Sequence, residues 1–236
     1  VASAFRVPSA ATGSGAGEPV IEVLSRGKHI LMHIGAYTVH SHLRMEGRWR
    51  VVAAGTRLPG PEHQIRAILT TPIRVAVGLE LGLLDVIQTS REHELVGHLG
   101  PDLLGPDWDS VEAIARLTAD PSIPVSVALL DQRNLAGVGN EFANELCFVR
   151  GLDPATPIGD VADVPALVTL AKRMLHANRD RSIRSTTGDL RPGRTSWVFA
   201  RESRPCRRCG ARIVKGRLGA SATVQRDTYR CPHCQP

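Results

Sequence analysis

Four cysteines near the end of the chain constrain its fold more than any other feature. Cys206 and Cys209 form one C-x-x-C pair, Cys231 and Cys234 form a second, and 21 residues lie between the pairs. Two such turns bring four thiolates into the tetrahedral arrangement that Zn²⁺ accepts. Because four protein ligands leave no open position for a substrate, the spacing predicts one structural zinc ion rather than a catalytic one.

The segment that holds these cysteines, residues 196–236, is small and basic. It contains nine Lys/Arg against two Asp/Glu, and a module of about 40 residues usually needs a cross-link or a metal to fold. Two redox-active C-x-x-C pairs are the alternative, but neither pair follows a thioredoxin-like strand. A basic zinc module is typical of contacts with nucleic acid.

Charge is distributed unevenly along the chain. Residues 1–171 carry 13 Lys/Arg against 19 Asp/Glu, a net charge of −6, whereas residues 172–236 carry 16 against 4, a net charge of +12. A basic C-terminal quarter predicts a polyanionic partner, nucleic acid first of all, although an ordinary soluble surface is the alternative. We find no apolar run of roughly 18 residues and no secretory signal pattern, so we expect no membrane association and a reducing compartment.

Short β-branched segments dominate the region that follows Val20. Seven of them, separated by Gly, Pro or charged residues, read VIEVLS, HILMHI, YTVHSH, WRVVAA, IRAILTT, IRVAVG and LLDVI. Such closely spaced short strands indicate a β-sandwich or a barrel. Residues 1–19 are rich in Ala, Ser, Gly and Pro, and we expect them to be irregular.

The composition changes near Pro101, where apolar residues begin to recur at helical spacing. Asp109 stands directly before one such run and is the expected N-cap of a helix. The helical pattern continues over residues 122–175 and is interrupted at two glycine-containing segments. A helical domain therefore follows the strand-rich region.

One of these interruptions lies within LLDQRNLAGVGNEFANELCF, residues 129–148. Gly137 and Gly139 permit a tight turn and a close approach to a ligand, and Asn140 is the expected cap of the second helix. A helix N-terminus with free N–H groups suits a phosphate, which predicts a clamp for a DNA backbone. A plain turn between packed helices and a glycine loop for nucleotides are the alternatives; the latter is weak because a third glycine is lacking.

Several segments resemble the formamidopyrimidine-DNA glycosylase and endonuclease VIII family. Residues 129–148 closely resemble its helix–two-turn–helix motif, and PCRRCG…VQRDTYRCPHCQP resembles its zinc-finger hairpin. SRGKHILMHIG and HSHLRMEGRW are similar to strands and a loop of its β-sandwich, nearest the endonuclease VIII branch, and STTGDLRPGRTSWVFAR resembles an actinobacterial subgroup. The resemblance implies an α+β fold: a β-sandwich over residues 1–115, a helical domain with the helix–two-turn–helix over 116–195 and a zinc-finger β-hairpin over 196–236.

The resemblance also implies roles for residues of the sandwich. Lys28, in SRGK, matches the family's lysine that acts near the damaged nucleotide as proton donor and phosphate contact, and it is the expected catalytic residue. Met45 matches the residue that fills the gap left by a flipped base, with Arg44 and Glu46 beside it on the same DNA-binding loop. Flipping a base costs a few kcal/mol, which a flexible apolar wedge can offset. Without the resemblance, the alternatives are that Lys28 is an ordinary strand-edge lysine and that Met45 is an ordinary core methionine.

Further DNA-binding residues are expected in the C-terminal part of the chain. Asn140 matches the family's asparagine whose amide holds a backbone phosphate, and Arg226 matches the finger arginine that grips phosphate at the lesion. The four cysteines match the zinc ligands. Taken alone, Arg226 would be one solvated basic residue among many.

One departure from the family concerns the nucleophile. Members use the amine of an N-terminal proline followed by a glutamate, whereas this sequence begins VASAFRVPSA. Alignment of the motifs predicts that a segment of roughly two dozen residues, about one helix plus a strand, is missing. If these residues were the whole molecule, the glycosylase chemistry should be crippled, since a covalent step cannot proceed without its attacking group. A fragment of a longer chain is the preferred interpretation, because every other part of the family's pattern is intact.

The expected function is a base-excision repair glycosylase with abasic-site lyase activity (β/δ-elimination) on oxidised bases, pyrimidines more than purines. The alternative is a catalytically impaired protein that binds damaged DNA. The resemblance implies damaged double-stranded or single-stranded DNA as partner, a monomer, and a bacterial cytoplasmic location at the nucleoid.

Histidines are frequent in the strand-rich segment. His29, His33, His40, His42 and His63 lie there, and the alternation of a strand places His40 and His42 on one face. A second metal site is one interpretation, but histidines of the core or of a polar network are favoured.

Overall fold

The structure is a computed structural model that describes residues 2–5 and 15–236. They form two compact units, Val1–His98 and Leu99–Pro236. The first unit is built from eight strands and a short helix: β1 (Ala2–Phe5), β2 (Val20–Arg26), β3 (His29–Ile34), β4 (Tyr37–His42), β5 (Arg48–Ala53), β6 (Ile65–Thr70), β7 (Arg74–Leu79), β8 (Leu83–Gln88) and α1 (His93–Val96).

All seven predicted strands are present, as β2 to β8. The prediction that residues 1–19 are irregular was wrong for Ala2–Phe5, which pair antiparallel with β6. This segment has no β-branched residue, so pairing with a neighbouring strand, rather than intrinsic propensity, makes it a strand. Residues 6–14 lie outside the described part.

The eight strands form a β-sandwich, as predicted. One antiparallel sheet has the order β1-β6-β7-β5 and the other has the order β2-β3-β4-β8. Met32 and Ile34 alternate along β3, Ala67 and Leu69 alternate along β6, and all four pack in one buried cluster. Period-two alternation thus gives each sheet one apolar face, and the two faces cover each other.

The second unit begins with helices: α2 (Ser110–Leu117), α3 (Val125–Leu130), α4 (Asn140–Arg150) and α5 (Val164–Asn178). The carboxylate of Asp109 accepts hydrogen bonds from Val111 N at 2.8 Å and Glu112 N at 3.1 Å, which confirms its prediction as an N-cap. None of the described helices combines the length and the apolar composition needed to cross a membrane.

The predicted cap of α4 was wrong. Gly139 occupies the N-cap position without a side-chain hydrogen bond, and Asn140 is the first residue inside the helix. The preceding turn is held by Gln132, whose side-chain amide donates to Leu130 O and Val138 O and accepts from Gly137 N. Gly137 has a φ of 110°, a conformation that side chains disfavour, so glycine is needed there.

The chain ends in an antiparallel hairpin, β9 (Val214–Ser221) with β10 (Val224–Arg230). A small buried cluster beneath it joins Phe148 of α4 to Ile213, Tyr229 and the cysteines Cys206 and Cys231. The hairpin therefore folds onto α4 and around the cysteine quartet, not as an isolated ribbon.

Candidate nucleic-acid interface and metal centre

The four predicted zinc ligands converge in space. The sulfur atoms of Cys206, Cys209, Cys231 and Cys234 all lie within 4.8 Å of one another. Among the described residues, no other group of three or more His, Cys, Asp or Glu is arranged in this way, so the histidines of the sandwich do not form a second such site. Four sulfur donors at this spacing suit one tetrahedral metal ion of the Zn²⁺ type.

Backbone hydrogen bonds shape the first cysteine turn. Cys206 N donates to Ala211 O at 2.7 Å, Gly210 N donates to Cys206 O at 2.9 Å, and Arg208 N points at the Cys206 sulfur at 3.4 Å. These hydrogen bonds close the turn and hold the Cys206 sulfur in a fixed position beside it.

The second cysteine turn is anchored by Gln235, which is fully buried. Its side-chain oxygen accepts from Cys231 N at 2.9 Å, and its side-chain nitrogen donates to Leu152 O at 2.7 Å, just beyond the end of α4. Gln235, part of the terminal CQ in the family resemblance, thus attaches the second cysteine turn to the helical part of the same unit.

Two asparagines connect α4 to β10. Asn140 Nδ2 donates to Asp227 O at 3.0 Å, and Asn144 Oδ1 accepts from Tyr229 N at 2.5 Å. Asn144 also donates to Asn140 O at 2.8 Å. These side chains supply partners for backbone groups of β10, so the N-terminal turn of α4 and the hairpin are held together.

Arg226 is exposed on β10, next to this junction. The adjacent Asp227 carboxylate lies 3.0 Å from Lys215 Nζ and 3.1 Å from Arg217 Nε, and hydrogen bonds from both cations lower its pKa. Arg226 makes no ion pair of this kind with any described residue, so its charge stays available on the surface. The structure thus brings Asn140 and Arg226 to the same part of the unit.

A buried carboxylate that the sequence analysis missed organises the segment before the finger. Glu145 has no exposed surface and accepts from the backbone N–H groups of Trp197, Val198 and Phe199 at 2.7–2.8 Å, and from the Thr186 hydroxyl. A carboxylate with this many donors is well compensated for the loss of water. The available signal was an acid directly before the apolar residues Leu146, Cys147 and Phe148.

In the first unit, Lys28 lies in the two-residue turn between β2 and β3, and it is exposed. Its charge lies near His29 and His42. Burial is the largest cause of a lowered pKa at both histidines, and neighbouring positive groups, Lys28 among them, lower it further. The pKa of His29 falls to about 4. Both imidazoles are therefore neutral at pH 7, and Lys28 contributes positive charge at this strand end.

Met45 lies at the tip of the loop between β4 and β5 with 91% of its surface exposed. The alternative that it is a core methionine is therefore wrong. Gly47 N donates to Leu43 O at 2.9 Å to close the loop, and a Cβ at Gly47 would come within 2.4 Å of that oxygen. A large apolar side chain on a tightly closed turn is suited to insertion between stacked groups.

The neighbours of Met45 share this loop. Arg44 has a φ of 54°, in the left-handed region that non-glycine residues rarely adopt, and its N–H donates to His42 Nδ1 at 3.0 Å. Glu46 is exposed. The predicted site residues thus fall into two groups: Lys28, Arg44, Met45 and Glu46 in the first unit, and Asn140, Arg226 and the cysteines in the second.

Comparison with known sequences gives consistent relatives. The sequence profile of the formamidopyrimidine-DNA glycosylase N-terminal domain matches residues 3–100. A probable endonuclease 8 2 of Streptomyces coelicolor is 52% identical over 99% of this chain and 85% of its own length. The DNA-(apurinic or apyrimidinic site) lyase Nei2 of Mycolicibacterium smegmatis is 48% identical over 98% of this chain and 88% of its own length.

Comparison with solved structures concerns the fold. The FPG (MutM) protein of Lactococcus lactis, in complex with DNA that contains FAPY-dG, superposes with a TM-score of 0.79 at 22% identity, covering 100% of this chain and 91% of that one. At this identity the likeness shows the fold alone. It confirms the predicted α+β architecture.

Proposed function

Because the chain belongs to the formamidopyrimidine-DNA glycosylase and endonuclease VIII family, we infer that it is a DNA glycosylase of base-excision repair with abasic-site lyase activity. The observation that carries this inference is the likeness to endonuclease 8 relatives over nearly the whole chain. The fold and the cysteine quartet agree with it.

We propose that the sandwich residues act on the damaged nucleotide itself. An enzyme that attacks a stacked base must first turn it out of the helix, which leaves a gap. The exposed Met45 is suited to fill that gap, with Arg44 and Glu46 beside it. Lys28 is suited to hold a phosphate and to donate a proton near the lesion, since it carries its charge at an exposed strand end.

The second unit supplies the proposed grip on the DNA backbone. Asn140 Nδ2 carries two hydrogens, so one can reach a phosphate oxygen while the other stays on Asp227 O. Arg226 offers a planar fork of donors to a neighbouring phosphate. Because Asn140 and β10 are hydrogen-bonded, these two contacts act as one rigid element.

We propose that the four cysteines hold one structural Zn²⁺. Burial and the neighbouring sulfurs of Cys209 and Cys231 raise the pKa of the Cys234 thiol to about 12, and a bound dication reverses such a shift because it stabilises thiolates. Zn²⁺ would supply the folding free energy that this small hairpin module lacks, and it would take no part in the chemistry.

We propose oxidised bases as substrates, pyrimidines more than purines, in duplex or single-stranded DNA. The protein is proposed to act as a monomer in the cytoplasm, at the nucleoid. The sandwich (1–115), the helix–two-turn–helix domain (116–195) and the finger (196–236) are the proposed functional divisions.

Borohydride trapping tests the proposed activity. A lyase of this kind attacks the C1′ aldehyde of an abasic site with a protein amine; water leaves, and the resulting imine is reduced by borohydride to a stable amine. With the native polypeptide, we expect a covalent protein–DNA adduct with abasic DNA and none with undamaged DNA of the same sequence. Tight binding of abasic DNA without an adduct would instead indicate a damaged-DNA-binding protein.

A further inference from the structure

Three polar side chains lie next to one another across neighbouring strands of the sandwich. His29 Nδ1 on β3 lies 2.7 Å from His40 Nε2 on β4, and the two rings are stacked with centroids 4.9 Å apart. His40 Nδ1 lies 3.6 Å from Asp85 Oδ2 on β8. The register explains the proximity, since β4 pairs with both β3 and β8 and places His40 opposite Asp85.

His40 is the buried link of this chain, with 2% of its surface exposed. Its Nδ1 is the one buried side-chain nitrogen or oxygen in the described part of the protein that lacks a hydrogen-bond partner. Burial of an unpaired polar atom is costly. A movement of about 0.5 Å would bring the Asp85 carboxylate into hydrogen-bonding range, which makes it the natural acceptor.

The order of donors and acceptors fixes the proton on each ring. An ionised carboxylate only accepts, so His40 carries its hydrogen on Nδ1 and keeps a lone pair on Nε2. His29 Nδ1 must then donate to His40 Nε2, which leaves the lone pair of His29 on its own Nε2.

The tautomer of His42 is the opposite of that of His29. Its ring lies edge-on to His29 with centroids 4.9 Å apart, and its Nδ1 accepts from Arg44 N. The hydrogen of neutral His42 is therefore on Nε2. The strand end next to Lys28 thus presents one imidazole as acceptor and one as donor.

The surrounding charges keep these rings neutral. Lys28 in the β2–β3 turn and Arg44 in the β4–β5 loop bring positive charge to this end, and His98 faces His29 and His40. Asp85 and Glu92 are the acids that face His40. Burial is the largest influence on each of the three histidines and lowers the pKa of all of them, so the lone pair of His29 is retained at pH 7.

We propose that Asp85 and His40 are positioning residues that fix His29 as a neutral acceptor, and that its Nε2 accepts a hydrogen bond from the Lys28 ammonium. Lys28 is thereby oriented toward the DNA with its charge intact. The second half of this proposal rests on the proposed function, because it assumes that Lys28 works at the lesion. The tautomers themselves depend only on the geometry of the sandwich.

Long-range ¹H–¹⁵N NMR of the histidine rings tests the tautomers in the purified protein without DNA. At pH 7 we expect His29 and His40 to carry hydrogen on Nδ1 and His42 on Nε2. In Asp85→Asn the amide can donate to His40 Nδ1, which reverses the chain and moves the hydrogen of His29 to Nε2. Glu94→Gln, an exposed change in the same unit, serves as control and leaves the spectrum unchanged. The proposal is overturned if His29 of the wild type carries its hydrogen on Nε2. It is also overturned if His29 of Asp85→Asn keeps its hydrogen on Nδ1.

Single-turnover cleavage of abasic DNA tests the link to Lys28. We expect Asp85→Asn to lower the rate about tenfold, as loss of a supporting hydrogen bond commonly does, with unchanged DNA affinity and an unchanged thermal midpoint. The wild-type rate should fall in acid as His29 is protonated, and this acid limb should be lost in the variant. If Asp85→Asn shows the reversed His29 tautomer but cleaves abasic DNA at the wild-type rate, the proposed role for Lys28 is overturned. A wild type that neither cleaves nor traps abasic DNA contradicts the proposed function instead, and the NMR result still decides the tautomers.

Discussion

Asn140 donates from its side-chain amide to the backbone carbonyl of Asp227, 3.0 Å away across 87 residues of sequence. This bond joins the first turn of α4 to the strand that carries Arg226. Asn144 reinforces the junction through Tyr229 N, one turn further along the helix. The hairpin and the first turns of α4 are therefore joined by hydrogen bonds, and a substitution that disrupts one of them should destabilise the other.

Loss of a metal ligand should disable the second unit and spare the first. Replacement of Cys231 by Ser removes one of four thiolates, so we expect the metal to be released and DNA binding to be lost, while the sandwich stays folded. Metal content by mass spectrometry and DNA affinity by fluorescence anisotropy measure the two effects. Cys147→Ala is the matched control, since Cys147 is buried in the helical core and lies outside the quartet. DNA binding that survives in a metal-free Cys231→Ser protein would rule out this role for the finger.

Removal of the finger arginine should weaken binding in a salt-dependent way. Arg226→Ala deletes one proposed phosphate contact, so the slope of log K against log salt concentration should fall by about 1. Titrations at several salt concentrations give this slope. Arg91→Ala is the control, because Arg91 is an exposed arginine of the sandwich paired with Glu94. An unchanged slope in Arg226→Ala would argue against a phosphate contact.

Truncation of the wedge should affect chemistry and not stability. Met45→Ala removes a side chain that is 91% exposed, so the free energy of unfolding should change by less than about 0.5 kcal/mol. Cleavage of a lesion in duplex DNA should slow about tenfold, because about 1.4 kcal/mol of the unstacking cost is no longer offset. The same lesion in single-stranded DNA should be affected less, since no stacked partner is left behind.

A second exposed apolar residue provides the control for Met45. Val51→Ala truncates a β5 side chain that is 64% exposed and should leave both substrates unaffected. If Met45→Ala lowered the cleavage rate equally on duplex and single-stranded DNA, this result would contradict insertion of Met45 into the DNA double helix.

The buried carboxylate of α4 should be important for stability. Glu145→Gln replaces one acceptor oxygen by an NH₂ group that faces backbone donors, so we expect a loss of about 3 kcal/mol in the free energy of unfolding. Urea denaturation measures it. Glu94→Gln, which alters an exposed ion pair, should leave the urea transition almost unchanged. A loss for Glu145→Gln as small as that of the control would show that the surrounding segment does not depend on the carboxylate.

One histidine of the sandwich should stabilise the protein only below a certain pH. Burial opposes protonation of His33, but hydrogen bonds to Glu92 at 2.6 Å and Glu22 at 2.9 Å outweigh it and raise its pKa above the ordinary value of 6.5. The stabilisation is fully present below pH 6.5 and is lost as the pH rises through the raised pKa of the folded state.

The measurement is the free energy of unfolding of the wild type minus that of His33→Gln across this range. The difference should shrink toward higher pH, whereas for Val51→Ala, an exposed change that removes no titratable group, it should stay flat. His29 should behave in the opposite sense: its pKa is lowered to about 4, so its contribution is present above pH 6.5 and is lost as the pH falls toward 4. A difference for His33→Gln that grows with pH would contradict the assigned ion pairs.

Local patterns were sufficient for much of this fold. The alternation of β2 to β8, the Asp109 cap and the spacing of the two cysteine pairs each depend on dihedral preferences and side-chain directions within a few residues. Such features can be predicted from the sequence because the residues that determine them are close to one another both in the chain and in space. The resemblance of residues 129–148 and of the cysteine-bearing tail then identified the family, which the comparisons confirm.

Tertiary structure alone decided the rest. The strand at Ala2–Phe5 exists because β6 pairs with it, and Asn140 serves β10 rather than its own helix. Glu145 meets its donors 52 to 54 residues away, and His40 meets Asp85 only through the register of β4 with β8. No local preference encodes these contacts, because each depends on which distant segment supplies the missing hydrogen-bond partner once the apolar faces have packed.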